Sequence, residues 1–118
     1  MTDDRSRWMV LLYEDERAWA AAGPQEQQAY LEQHDTYERR AAEHGVTILS
    51  SDALQPVASA TTLRPGDGRP ATEGPFAETA EQLGGFYLVE AATQGDVVAH
   101  ARLLPSSYTV EVRPVAVL

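Results

Sequence analysis

Cysteine is missing from the chain altogether. Disulfides, thiolate nucleophiles, iron–sulfur clusters and cysteine-based zinc sites are therefore excluded, and any chemistry has to come from oxygen and nitrogen groups. Basic residues are scarce: 9 Lys and Arg stand against 18 Asp and Glu, a formal net charge of −9. Affinity for nucleic acid comes largely from counterion release by basic side chains, so no nucleic-acid partner is expected. Long apolar runs are absent as well. Trp8 to Tyr13 follows a mixed-charge segment, Met1 to Arg7, and is far too short for a signal-peptide core or a membrane span. No membrane partner is expected, and the expected location is the cytoplasm.

What is present suits one domain over residues 1–118. With 43% hydrophobic and 23% charged residues, a chain of this length hides roughly two-thirds of its unfolded surface, enough for one core. The run Trp8-Met9-Val10-Leu11-Leu12-Tyr13 predicts a strand buried inside a sheet. Ala18 to Ala22 predicts a short helical turn, broken by Gly23-Pro24. Pro24 then opens a helix running to His44 and stopped by Gly45, with Tyr30, His34, Tyr37 and Ala41 on one face. Val46 to Leu54 predicts a second strand, Ala58 to Arg64 a third, and the turn Pro65-Gly66-Asp67-Gly68 returns Arg69 to Glu73 as its hairpin partner. Gly74 to Gly85 reads as an ordered loop with one helical turn. Phe86 to Ala91 is another buried strand. Thr93 caps a helix reaching Leu104, and Tyr108 to Val117 closes the chain as a strand.

That order predicts an α+β fold: a ferredoxin-like sandwich in which an antiparallel sheet carries two helices on one face. The other face, left bare and apolar in several strands, predicts a homodimer.

The stretch Glu73-Gly74-Pro75-Phe76-Ala77-Glu78-Thr79-Ala80-Glu81-Gln82-Leu83-Gly84-Gly85-Phe86-Tyr87-Leu88 resembles the signature of the YCII-related family in its DGPF subgroup. Leu12-Tyr13-Glu14-Asp15-Glu16, the helix with His34, Leu54-Gln55-Pro56 and Glu111-Val112-Arg113-Pro114 are similar to it in order and spacing. Glu73 stands where the subgroup has its name-giving Asp, which moves the carboxylate out by one methylene. The resemblance implies a ferredoxin-like chain that dimerises as an α/β barrel. On activity it implies a lyase related to the dehydrochlorinases of chlorinated hydroxyquinols, with a His/acid pair at the centre. Some DGPF members are encoded beside extracytoplasmic-function sigma factors, which makes a sigma factor a further partner to consider.

His34 is the first candidate for chemistry. On an apolar helix face, held between two tyrosines, a partly desolvated imidazole serves as general base or acid near neutrality; the other reading is a core histidine satisfied by a carbonyl or a tyrosine. Asp52, at the end of the following strand and often acidic in the DGPF pattern, is the candidate to orient the imidazole; alternatively it is a solvated strand-end acid. Glu78 completes the catalytic set if Gly74, Pro75 and Phe76 fix the loop before it, with Phe76 as apolar anchor; alternatively Gly-Pro-Phe is a structural corner. Gly74, Pro75 and Phe76, with Tyr13 and Tyr87 as phenols, form the candidate substrate-binding set. His44 and His100 read as structural. Three histidines without shared helical spacing give no recognisable metal shell, the alternative being a facial triad of His34, Asp52 and Glu78 for iron, and no phosphate loop is present. Neither metal nor cofactor is expected. The functions left open are a cofactor-independent lyase or isomerase acting on a hydroxylated cyclic or aromatic small molecule, and a non-catalytic dimeric module binding a small ligand or a protein.

Overall fold

The computed structural model describes residues 5–118; the N-terminal residues 1–4, part of the mixed-charge segment, lie outside it. Strand β1 (Ser6–Glu14) buries Trp8, Val10 and Leu12 and turns Met9, Leu11 and Tyr13 to its other side. This is the two-residue alternation of a pleated strand. Strand β5 (Gln82–Ala91) alternates likewise, with Gly85, Tyr87, Val89 and Ala91 buried. Together with β2 (Thr47–Ala53) and β6 (Thr109–Pro114) they form an antiparallel sheet in the order β2-β5-β1-β6. A separate two-stranded sheet pairs β3 (Thr61–Leu63) with β4 (Ala71–Glu73). The fold is α+β, with antiparallel sheets and three α-helices among the described residues. No helix among them is long and apolar enough to cross a membrane.

Helix α1 (Glu16–Ala21) begins two residues earlier than the sequence suggests, because Asp15 caps it by accepting the Arg17 backbone N–H at 2.9 Å. Helix α2 (Pro24–Arg40) starts with Pro24 in the first turn, where its missing N–H costs nothing. It ends before His44, since Ala42–His44 tightens into a 3-10 turn. Gly45, at φ +74°, then donates to the Ala42 carbonyl while Val46 donates to that of Ala41. These two bonds are a Schellman stop, and buried Val46 packs over it. Helix α3 (Gln94–Ala101) is capped by Thr93, as expected, but stops three residues short of Leu104. Tyr37 of α2 and Ala41, the residue after it, share one core with Val97 and Ala101 of α3 and with Val10, Leu12, Tyr87 and Val89 of the sheet. Both helices thus cover the same face.

Three expectations change in the connecting segment. The third strand shrinks to β3, because a 3-10 turn at Val57–Ser59 takes up the start of the expected Ala58 to Arg64 strand. The segment from Gly74 onward contains no helical turn, and β5 begins at Gln82, four residues before Phe86. The loop is fixed from outside: Arg64 donates to the Phe76 and Pro75 carbonyls, and the Gln82 amide donates to those of Ala77 and Thr79.

Candidate functional site

The inward face of α2 carries His34 one turn before Tyr37, whose ring is wholly buried against Tyr87 with centroids 4.5 Å apart. Because Tyr37 fixes that face against the sheet, His34 is carried in above Tyr87. Its Nδ1 lies 2.8 Å from the Tyr87 hydroxyl, and its Nε2 lies 3.0 Å from the hydroxyl of Tyr108, in the turn leading into β6. The imidazole is held between two tyrosines, as expected, but they come from the sheet side and not from its own helix. Burial lowers the His34 pKa, so the ring is neutral at pH 7. Burial likewise raises the phenols, Tyr108 to about 12 and Tyr87 further.

These three groups sit in a cleft of about 700 Å³ between α1, α2 and the end of the sheet, within the size range of small-molecule sites. Two glycines account for its shape. At Gly85, buried and inward-facing, a Cβ would come 3.0 Å from the Asp52 carbonyl oxygen, so the side-chain space between Leu12 and β2 stays empty. Gly84 is the unpaired residue of a bulge, since Leu12 pairs with Gly85 and Tyr13 with Leu83. A Cβ there would meet the Glu14 carboxylate at 2.8 Å. Glu14 therefore folds across Gly84 into the cleft, where burial and the neighbouring Glu16 raise its pKa.

The remaining candidates are distributed differently. Tyr87 is in the cleft. Tyr13 is on the opposite side of the sheet, where its hydroxyl donates to Glu111 at 3.3 Å, so it lends nothing to the site. Asp52 borders the cleft, but its register opposite Phe86, which alternates with buried Gly85 and Tyr87, puts its carboxylate on the outer face. The tyrosines occupy both His34 nitrogens, and Asp52 does not orient the ring. Glu78, Gly74, Pro75 and Phe76 lie outside the cleft lining. Phe76 is 82% exposed, its ring under the Arg64 guanidinium, and is no apolar anchor. Gly74, at φ +104°, does make a turn closed to other residues. Among the described residues, no group of three His, Asp or Glu side chains is placed to hold a metal ion.

Tyr108, Glu14, Glu38 and Ser51 also line the cleft and escaped sequence reading. For Glu14 a signal existed: two residues after inward-facing Leu12, it shares that face. For Tyr108 none did, because its position follows from how the turn after α3 packs.

The fold and cleft define a small α+β protein with a half-buried histidine–tyrosine centre. Residues 6–117 match the YCII-related domain, and the chain belongs to that family. An uncharacterized protein of Rhizobium meliloti (strain 1021) is 36% identical over 114 residues, spanning 92% of this chain and 91% of its own.

Proposed function

We propose that the chain is a small-molecule enzyme that moves protons without a cofactor, a lyase or isomerase acting on a hydroxylated cyclic or aromatic substrate. The observation that carries this reading is the neutral His34 bridged by the Tyr87 and Tyr108 hydroxyls at the floor of the cleft. A neutral imidazole has one N–H and one bare nitrogen. One tyrosine oxygen accepts the N–H and keeps its own O–H for the substrate; the other donates to the bare nitrogen and offers a lone pair. In one concerted shift the first hydroxyl protonates the substrate or its leaving group and takes the histidine proton. The second gives its proton to the ring and accepts one from the substrate. The ring ends as the other tautomer, no net charge forms, and the raised tyrosine pKa values are no obstacle because neither phenol becomes a free phenolate.

Two measurements test this. The His34 ring resonances, followed by NMR against pH, are expected to titrate below the ordinary 6.5 or so and to move on addition of one member of a panel of hydroxylated cyclic ketones and phenols. That compound is expected to exchange its α-carbon protons with deuterated solvent faster in the presence of the protein. An ordinary titration indifferent to every compound overturns the reading. One observation favours a second reading, a non-catalytic module binding a ligand or a protein such as a sigma factor: both His34 nitrogens are already satisfied within the protein. Binding without proton exchange would select it.

The architecture extends the proposal. The strand order β2-β5-β1-β6 with α2 and α3 on one face supports a ferredoxin-like chain, and the Gly74-Pro75-Phe76 corner supports the DGPF subgroup. The half-exposed Met9, Leu11, Phe86 and Leu88 on the uncovered face support a homodimer closing an α/β barrel. Light scattering across micromolar dilution tests it, and a monomer throughout excludes it.

A further inference from the structure

The same cleft has a sign. Glu14, Glu16 and Glu38 line it, while none of the nine basic residues does. Among the described residues, no arginine ion-pairs with any of these three carboxylates. Glu16 is held by accepting the Val57 backbone N–H at 2.9 Å, so its charge is fixed at the wall. Glu14 is half-buried beside it with a raised pKa, a carboxylate short of water and of a counter-charge. Aromatic rings line the same cleft: Trp19 lies 5.7 Å from Tyr30, and Tyr30 lies 6.2 Å from Tyr108, centroid to centroid. Carboxylates and π-faces both attract cations, and a desolvated carboxylate gains most from one.

We propose that the ligand of this cleft is a small organic cation, an amine with a hydroxylated ring. Its ring hydroxyl meets the Tyr87–His34–Tyr108 centre, and its ammonium group lies between Trp19 and the carboxylates. An anionic ligand would meet only like charges there. The proposal rests on the cleft being the binding site, and it adds the charge of what binds.

Three compounds with one phenol body test it: tyramine, tyrosol and 4-hydroxyphenylacetate, ending in ammonium, hydroxyl and carboxylate. Binding is read on the full chain by Trp19 fluorescence, assigned with Trp19→Phe, and by the His34 NMR resonances. Tyramine is expected to bind at least about tenfold more tightly than 4-hydroxyphenylacetate at low salt, a ratio that shrinks as screening rises. Glu14→Gln and Glu38→Gln are each expected to reduce the ratio about threefold or more, as loss of one near charge requires. Equal or tighter binding of the carboxylate, or a ratio unmoved by both substitutions, overturns the charge preference while leaving the pocket in place. If none of the three perturbs His34 or Trp19 the inference is also overturned, and deuterium exchange into neutral cyclic ketones then decides the proton-transfer reading separately.

Discussion

His44 and His100 meet Nδ1 to Nδ1 at 2.8 Å, and His100, wholly buried, donates its Nε2–H to the Tyr37 carbonyl oxygen at 2.8 Å. A carbonyl only accepts, so the neutral His100 carries its proton on Nε2 and takes the His44 Nδ1–H on its bare nitrogen. A second proton on His100 would sit on its Nδ1 and force His44 to move its own proton to Nε2.

Stability should therefore fall in mild acid. Burial pushes His100 below its ordinary pKa, as do the nearby His44 and Arg40, against the opposing bond to Tyr37; burial alone does so for His34. As pH drops below about 6.5 the unfolded chain takes up these protons and the folded one does not, so stability is full above that value and declines below it, by up to about 1.4 kcal/mol per pH unit for each group. Urea midpoints at pH 7.5, 6.5 and 5.5 check this. His34→Gln is expected to flatten part of the slope, and equal midpoints at all three pH values would contradict the assignment.

Tyr37 supplies a second test. Its ring is the centre of the aromatic packing, yet its buried hydroxyl has no hydrogen-bond partner among the described residues. An unsatisfied buried hydroxyl is a cost that Phe does not carry. Tyr37→Phe is expected to raise stability by about 1 kcal/mol, seen as a higher urea midpoint with an unchanged slope. A loss of similar size would mean that the hydroxyl is satisfied, for instance by an internal water.

The strands were legible wherever alternation or an apolar run was strong. Trp8 to Tyr13 is β1, the Thr93 cap starts α3, and Gly45 stops the α2 segment by the conformation its position demands. His34 was legible because helical spacing from buried Tyr37 and Ala41 puts it on the core side. Its partners were not: Tyr87 and Tyr108 are 53 and 74 residues away, and only sheet register and a turn bring them to the ring. The outward face of Asp52 was not legible, because the bulge between Ile48 and Ser50 reverses the face of each later residue in β2, and a bulge leaves no mark in a run such as Leu49-Ser50-Ser51-Asp52. An aromatic residue in a polar loop suggests an anchor at Phe76, whereas Arg64 and Gln82 hold that loop by its carbonyls.

Gly84 and Gly85 should respond differently to alanine. At Gly85 the new methyl meets backbone, the Asp52 carbonyl, and one strand must shift, which is expected to cost about 1–3 kcal/mol. At Gly84 the nearest atoms it meets belong to the Glu14 side chain, which swings aside at little cost to folding but leaves the cleft. Gly84→Ala should thus keep its urea midpoint within about 0.5 kcal/mol while losing the part of amine binding that depends on Glu14. Equal destabilisation by both substitutions would count against the bulge as the device that places Glu14.

The histidine and its two tyrosines make the sharpest test of the proposed proton relay. If the proton crosses Tyr87, His34 and Tyr108 in one shift, each hydroxyl is needed for the whole event, and removing either breaks it. Tyr87→Phe and Tyr108→Phe are then each expected to lower substrate deuterium exchange by about 10²-fold or more, the range of a lost acid–base group. The double variant should lose no more than the worse single one. If the hydroxyls only bind substrate, independently of each other, the losses multiply instead. Because each substitution leaves one His34 nitrogen unpaired at a cost of about 1–3 kcal/mol, rates must be compared at a temperature where all three variants are folded, with circular dichroism as the check.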